Sequence, residues 1–143
     1  MTGEALPNGE QLLMHIGEVT ARTELSVRTL HHWEEVGLLP PSRRSEGGFR
    51  LYTEDDVQKI LVIRRMKPLG FTLDEMRSVL EDVEALRADA TDPDRRAQAS
   101  RRVEAIRDEA ARRREKLERQ LARADEFIDL LNKETAHGGP TRA

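Results

Sequence analysis

The sequence predicts a mainly α protein with a helix-turn-helix head, a small β-hairpin wing and one long C-terminal helix that needs a partner. Two short amphipathic stretches, beginning at Ile16 and Val27, are separated by about three residues and closed by Gly37. A Gly47-Gly48 turn follows, flanked by arginines and by residues that alternate in character. Residues 94–134 contain neither Gly nor Pro and keep a sparse apolar seam among charges.

In the head, Ile16, Val19, Thr20 and Thr23 recur at helical spacing until Glu24-Leu25-Ser26 interrupts. Ser26 is placed as the N-cap of a second helix, Val27 to Val36, and Gly37 ends it in a left-handed conformation. Pro40-Pro41 then forbids helix, and residues 42–52 read as a hairpin. On its returning strand Phe49 and Leu51 alternate with Arg50 and Tyr52, which places Phe49 in the core. Thr53-Glu54-Asp55-Asp56 opens a third helix through Val57, Ile60, Leu61 and Arg64, ending near Pro68-Leu69-Gly70. Thr72-Leu73-Asp74-Glu75 is a complete capping box for a fourth, with Met76, Leu80 and Val83 on one face. Asp92 as N-cap and Pro93 at the first helical position start the last.

Four segments follow: a flexible tail at 1–14, the head at 15–88, a linker and long helix at 89–134, and a second tail at 135–143. At 1.5 Å per residue, 94–134 would span roughly 60 Å. Its seam of Val103, Ile106, Ala110, Leu117, Leu121, Ala124, Phe127, Ile128 and Leu131 is too long for one small head to bury. Arg112, Arg113 and Arg114 have Asp108, Glu109, Glu115 and Glu118 within a turn, so this run reads as a solvated, ion-paired face.

Composition excludes several classes. With 143 residues, 36% charged and 3% aromatic, the chain has little material for a buried catalytic cleft. No nucleophile with a paired base, phosphate-cradling Gly loop or metal motif is visible, so an enzyme is not expected and no cofactor is implied. The longest aliphatic run, Ile60 to Ile63, is far short of the ~18 residues a membrane span needs, and the start lacks the pattern of a secretion signal. Zero cysteines exclude thiolate sites and fit a cytoplasmic setting. His31 and His32 are adjacent on a helix, about 100° apart, so they cannot chelate a metal as a pair. His15 and His137 read as surface residues.

The net charge of −3 argues by itself against a nucleic-acid partner. Its distribution argues otherwise. Residues 15–70 hold nine basic against eight acidic side chains, and Arg43, Arg44 and Arg50 converge on the Gly-Gly turn with only Glu46 opposing them.

The ordered series Ile16-Gly17-Glu18-Val19, Ser26 to Glu34, Gly37 to Pro41, Arg44 to Tyr52 and Leu69 to Glu75 resembles the MerR family of bacterial transcription regulators over about half of the chain. The resemblance implies a homodimer joined by an antiparallel coiled coil through the seam above. Each winged head would occupy half of a pseudo-palindromic promoter site on double-stranded DNA, distorting the promoter spacer for RNA polymerase. The second helix becomes the recognition helix, with Ser26, Val27, Arg28 and Thr29 facing base edges or phosphates. Arg43, Arg44, Arg50 and the Tyr52 hydroxyl then face the neighbouring backbone or minor groove. Of His31 and His32, one meets phosphate and the other packs with Trp33.

The chain departs from the family in two respects. His31-His32-Trp33-Glu34 stands where Arg-Tyr-Tyr-Glu is frequent, altering hydroxyl contacts to phosphate. The missing cysteines exclude the family's thiolate metal sensing. After Leu131 too little chain remains to enclose a ligand pocket, so a small apolar effector would have to sit between the coiled-coil end, around Phe127 and Leu131, and the partner's head. No residue pattern identifies an effector, an operator or the direction of regulation. Two other roles fit the same sequence: a dimeric coiled-coil adaptor whose winged head binds protein, and a simple repressor that does not remodel the promoter. The arginines around the Gly-Gly turn speak against the adaptor, which has no need of them.

Overall fold

The computed structural model describes residues 3–5, 12–41, 43–89 and 92–137. The elements are β1 (Gly3–Ala5), β2 (Leu12–His15), α1 (Ile16–Thr23), α2 (Val27–Glu35), β3 (Arg43–Arg44), β4 (Arg50–Tyr52), α3 (Glu54–Met66), a 3-10 turn (Lys67–Leu69), α4 (Leu73–Arg87) and α5 (Pro93–His137). The protein is mainly α, with a winged helix-turn-helix head and a long C-terminal helix. Two compact units divide it, the head to Ser100 and the remainder of α5 from Arg101.

The helix starts follow local chemistry. The Ser26 hydroxyl accepts from the Thr29 amide at 3.1 Å. Thr53 and Asp56 exchange side-chain-to-backbone bonds of 3.1 and 2.9 Å, and Thr72 and Glu75 do the same at 3.1 and 2.8 Å. Each box satisfies amides that the first turn leaves without a helical partner. The Asp92 carboxylate accepts from the Arg95 amide at 3.1 Å, with Pro93 first in α5.

Two arginines from the later helices tie down the ends of the first pair. Arg64 donates to the Thr23 carbonyl at 2.6 Å, where α1 ends. Arg77 donates to the Val36 carbonyl at 2.8 Å, just past α2. Gly37 has a φ of +82°, a conformation that favours glycine, and a Cβ there would lie 3.3 Å from the Arg77 guanidinium, which would have to shift slightly. Charge placed at carbonyl-rich helix ends is favourable as well as hydrogen-bonded.

Val19, Leu30, Val57, Ile60 and Ile63 are fully buried, with Trp33, Leu38, Leu51, Phe71 and Met76 around them. One face of each of α1 to α4 therefore meets in a single core. The turn into α5 is held by Arg96, which donates to the Leu86 and Ala88 carbonyls at 2.9 and 2.7 Å, and by Arg95, 3.6 Å from the buried Asp82. Ala99, within the same unit, is fully buried. Along the rest of α5, Arg112 and Arg113 both pair with Glu109 at 2.8 Å and Arg114 pairs with Glu118 at 2.9 Å, the solvated face expected of that run.

The structure corrects the sequence reading at both ends. Instead of a tail through residue 14, Gly3–Ala5 and Leu12–His15 are strands, and the sheet has four strands in the order β1-β2-β4-β3. The apolar triplet Leu12-Leu13-Met14 carries this. Leu13 and Met14 are buried, and Met14 pairs with Tyr52 across β2 and β4. At the other end, α5 continues through His137 rather than stopping at 134, while 138–143 lie outside the described residues. Phe49 is a third correction. It is 66% exposed rather than in the core, because it precedes β4 and the strand's alternation does not extend to it.

Candidate nucleic-acid interface

The N-terminus of α2 presents Ser26, Val27 and Arg28 exposed and Thr29 half-buried, while Leu30 and Trp33 anchor the opposite face. The cap orders this end, since the Ser26 and Thr29 hydroxyls lie 2.8 Å apart as well as sharing the amide bond. Val27, at 42% exposure, is the apolar residue α2 leaves open. Arg28 has no hydrogen-bond or ion-pair partner among the described residues.

The wing begins with Arg43 and Arg44, both exposed, antiparallel to β4 with Arg43 opposite Leu51 and Arg44 opposite Arg50. Arginines directly across a ladder repel. The repulsion is relieved by sending the two side chains to different acceptors. Arg44 turns to the Gly48 carbonyl at 3.0 Å, and Arg50 donates to the Glu34 carboxylate on α2. Tyr52 is 2% exposed, its hydroxyl 3.4 Å from the same carboxylate oxygen. Glu34 itself has a side-chain exposure of only 9%.

The ten expected contact residues therefore divide. Ser26, Val27, Arg28 and His32 on α2, with Arg43 and Arg44 on the wing, lie on the surface, and Thr29 is partly covered. Arg50 and Tyr52 join the wing to α2 through the Glu34 carboxylate, Tyr52 buried and Arg50 partly exposed. The resemblance had turned both toward the DNA backbone or minor groove. Both faces of so short a strand are covered here, one by the core and one by α2.

His31 is half-buried, with its Nε2 shielded and without a hydrogen-bond partner among the described residues. It lines an open depression along α2 together with Val27, Arg28, Thr29, His32, Trp33, Glu35 and Lys67. Lys67, an exposed cation in the turn after α3, is a residue that reading the sequence alone missed. Its position beside α2 depends on how α3 packs. Among the described residues no cluster of three or more His, Cys, Asp or Glu is arranged to hold a metal, and no helix is long and apolar enough to cross a membrane.

Electrostatics outside this face serve the fold. Arg22 on α1 donates to both oxygens of Glu54 at the start of α3, at 2.7 and 2.9 Å. The Arg22 hydrogen bond, with a further one from Gln58, holds the Glu54 carboxyl below its ordinary range, and Glu54 in turn raises Arg22. On α5, Arg113 and then Arg112 lower Glu109 in the same way. The seam residues Leu117, Leu121, Ala124, Phe127, Ile128 and Leu131 are exposed along that helix, and Val103, Ile106 and Ala110 are half-covered.

The family of MerR HTH family regulatory proteins matches residues 14–83. The nodulation protein NolA of Bradyrhizobium elkanii is 45% identical over 71 residues, 50% of this chain, and the chain spans only 32% of that curated relative's length. A MerR-family transcriptional regulator from Bacillus cereus has a similar structure, with TM-score 0.64 and 26% identity over 92% of this chain and 87% of that one. HiNmlR, a MerR family regulator lacking the sensor domain and solved bound to promoter DNA, shares the fold at TM-score 0.60 and 21% identity over 87% of this chain and 84% of that one. The capped starts of α2, α3 and α4 and the wing fall inside the matched stretch, and the chain belongs to the MerR family of HTH regulatory proteins.

Proposed function

We propose that this protein is a homodimeric, sequence-specific DNA-binding transcription regulator of promoter DNA. The observation that carries the reading is the joint exposure of Arg28 at the start of α2 and of Arg43 and Arg44 on the wing, none of them in an ion pair among the described residues. Other cations of the head are used internally: Arg22, Arg50, Lys59 and Arg64 each bond to a protein carboxylate or carbonyl. Exposed cations outside any ion pair, at one helix N-terminus and the adjacent hairpin, are what phosphate attraction and groove contact require, and Arg44 keeps its charge although it donates to the Gly48 carbonyl. Ser26, Val27, Thr29, His31, His32 and Lys67 complete the contact surface.

Dimerisation is assigned to α5. A single helix with Leu117, Leu121, Ile128 and Leu131 open along one face leaves that apolar area in water unless a second copy covers it. Two heads at fixed separation would grip two half-sites of a pseudo-palindrome and distort the spacer between promoter elements, so that RNA polymerase engages both. Such bends cost about 1–6 kcal/mol, which a paired grip can supply more readily than a single head. Cytoplasmic residence goes with this role.

The test is selection of duplexes from random-sequence DNA by the unsubstituted protein, followed by gel shifts of Arg28→Ala and Arg44→Ala on the selected duplex. Both variants should bind more weakly with helicity unchanged. Failure to enrich any sequence, or identical shifts for both variants, would remove the DNA-binding assignment. Transcription in vitro from a promoter carrying the selected site then separates spacer distortion from simple occlusion.

A further inference from the structure

We propose that His15 is a positioning residue for the wing: its ring braces Phe49, and through Phe49 it orders the hairpin tip before DNA arrives. The inference rests on the DNA-binding reading above and adds to it the side chain that sets where Arg43 and Arg44 are presented. His15 is half-buried at the end of β2 and makes no side-chain cap for α1, which starts at the next residue.

The hairpin has little of its own to hold it in one place. β3 contributes two residues, and its ladder ends with Arg44 directly opposite Arg50. Ribbons this short are marginal in water, and like charges across the last pair weaken this one. Beyond that pair the tip closes on itself. The Gly48 amide donates to the Ser45 carbonyl at 2.9 Å, the Ser45 amide to the Phe49 carbonyl at 2.8 Å, and the Phe49 amide to Ser45 Oγ at 3.2 Å. These bonds fix the shape of the turn and leave its angle to the head open.

His15 supplies that angle. It pairs with Leu51 of β4, so Phe49, two positions before Leu51, is its diagonal neighbour across the two strands, a reach that aromatic side chains span. The rings meet edge-on, with planes at 86° and centroids 6.2 Å apart, within the favourable range for such pairs. The Phe49 ring also lies against Gly47, where a Cβ would come within 3.2 Å of Cε2. Phe49 therefore links the turn to the end of β2 although it is 66% exposed. Arg50 fastens the same hairpin to α2 through Glu34. One fixed point would leave a hinge, and two define a direction.

A loop that must be ordered on binding subtracts from affinity, and one ordered in the free protein does not. A single edge-on pair is a small contribution. Its loss should appear as a complex roughly two- to tenfold weaker, with binding retained.

The experiment uses the full chain and the duplex it selects from random-sequence DNA. In the free protein, His15→Ala should speed hydrogen exchange at the Ser45 and Gly48 amides while exchange in α2 and α3 and the melting temperature stay as they were. It should bind the duplex roughly two- to tenfold more weakly, with an unchanged slope of log affinity against log salt, because every arginine remains. His15→Phe should restore both exchange and affinity. The double variant His15→Ala with Phe49→Ala should lose no more than Phe49→Ala alone, since one residue acts through the other. Unchanged exchange at Ser45 and Gly48 in His15→Ala overturns the assignment, as does faster exchange there with affinity unchanged. Failure of His15→Phe to restore them, or additive losses in the double variant, overturns it by giving His15 a role apart from Phe49. Faster exchange throughout the head with a lowered melting temperature overturns it as well, leaving His15 a general support of the fold. Absence of any selected duplex removes the DNA-binding reading and this proposal with it, and the exchange measurements, which need no DNA, report separately whether His15 holds the tip.

Discussion

Arg50 on the wing donates to Glu34 on α2, two residues that sequence distance separates by a loop, two prolines and a hairpin turn. The pair ties the wing to the helix it flanks, with the Tyr52 hydroxyl beside the same carboxylate. Removing the cation from a carboxylate this covered should cost about 1–3 kcal/mol, and partial solvent access at Arg50 keeps it from costing more. Arg50→Ala should therefore lower the urea midpoint, whereas Glu34→Gln, which keeps the shape and a hydrogen bond, should lower it less. Equal midpoints for Arg50→Ala and the unsubstituted protein would show that the pair does not secure the wing.

Glu24 closes α1 in the left-handed region, with φ 58° and its amide bonded to the Thr20 carbonyl at 2.8 Å. A residue with a Cβ is strained there by about 1 kcal/mol. Glu24→Gly should raise thermal stability by about 0.5–1 kcal/mol, the relief being offset in part by the freer unfolded chain. A lower melting temperature would mean that Glu24 makes a compensating interaction.

The Arg22–Glu54 bridge predicts an acid limb. Glu54 is lowered in the folded state, chiefly by the Arg22 hydrogen bond, so folding is favoured above the unfolded carboxyl pKa of ~4.3. That contribution disappears as pH falls through the still lower folded value. Because both side chains are substantially exposed, the effect is modest. Glu54→Gln should reduce stability at neutral pH and leave it unchanged below the carboxyl range, giving a flatter profile in urea titrations. A parallel profile for the variant would contradict this.

Leu117 lies at the middle of the α5 seam and is 41% exposed. Leu117→Asp should convert the protein to monomer in sedimentation while the head keeps its circular dichroism and melting transition. An intact dimer would place the pairing face elsewhere on the helix.

Features encoded within a few residues were legible in the sequence. Ser26, the Thr53 and Thr72 boxes and the Asp92-Pro93 start each depend on groups no more than three positions apart, and all four helices begin there. Tertiary choices were not legible in the same way. β2 joins the sheet through Tyr52, far along the chain, and the Gly and Pro residues before it mask that pairing. Which side of β4 meets α2 decides whether Arg50 reaches Glu34 or solvent, and alternation alone leaves both open. Phe49 was misplaced for a local reason: the strand begins one residue later. Lys67 reaches the α2 depression only through the packing of α3, which its own Lys-Pro-Leu-Gly context does not encode.

Arg64 and Arg77 each reach across some forty positions to backbone carbonyls at the end of a helix, Arg64 to Thr23 and Arg77 to Val36 and Gly37. Arg28 and Arg43, by contrast, have no such appointment. Replacing every arginine of the head by lysine would keep its formal charge and much of its pull on a polyanion. A lysine lacks the planar fork that lets Arg77 span Val36, Gly37 and Asp74 together. The cations that matter to architecture are thus fixed by the carbonyls they reach inside the head, and those on the open face by what lies outside it, so the two groups are free to diverge under different constraints.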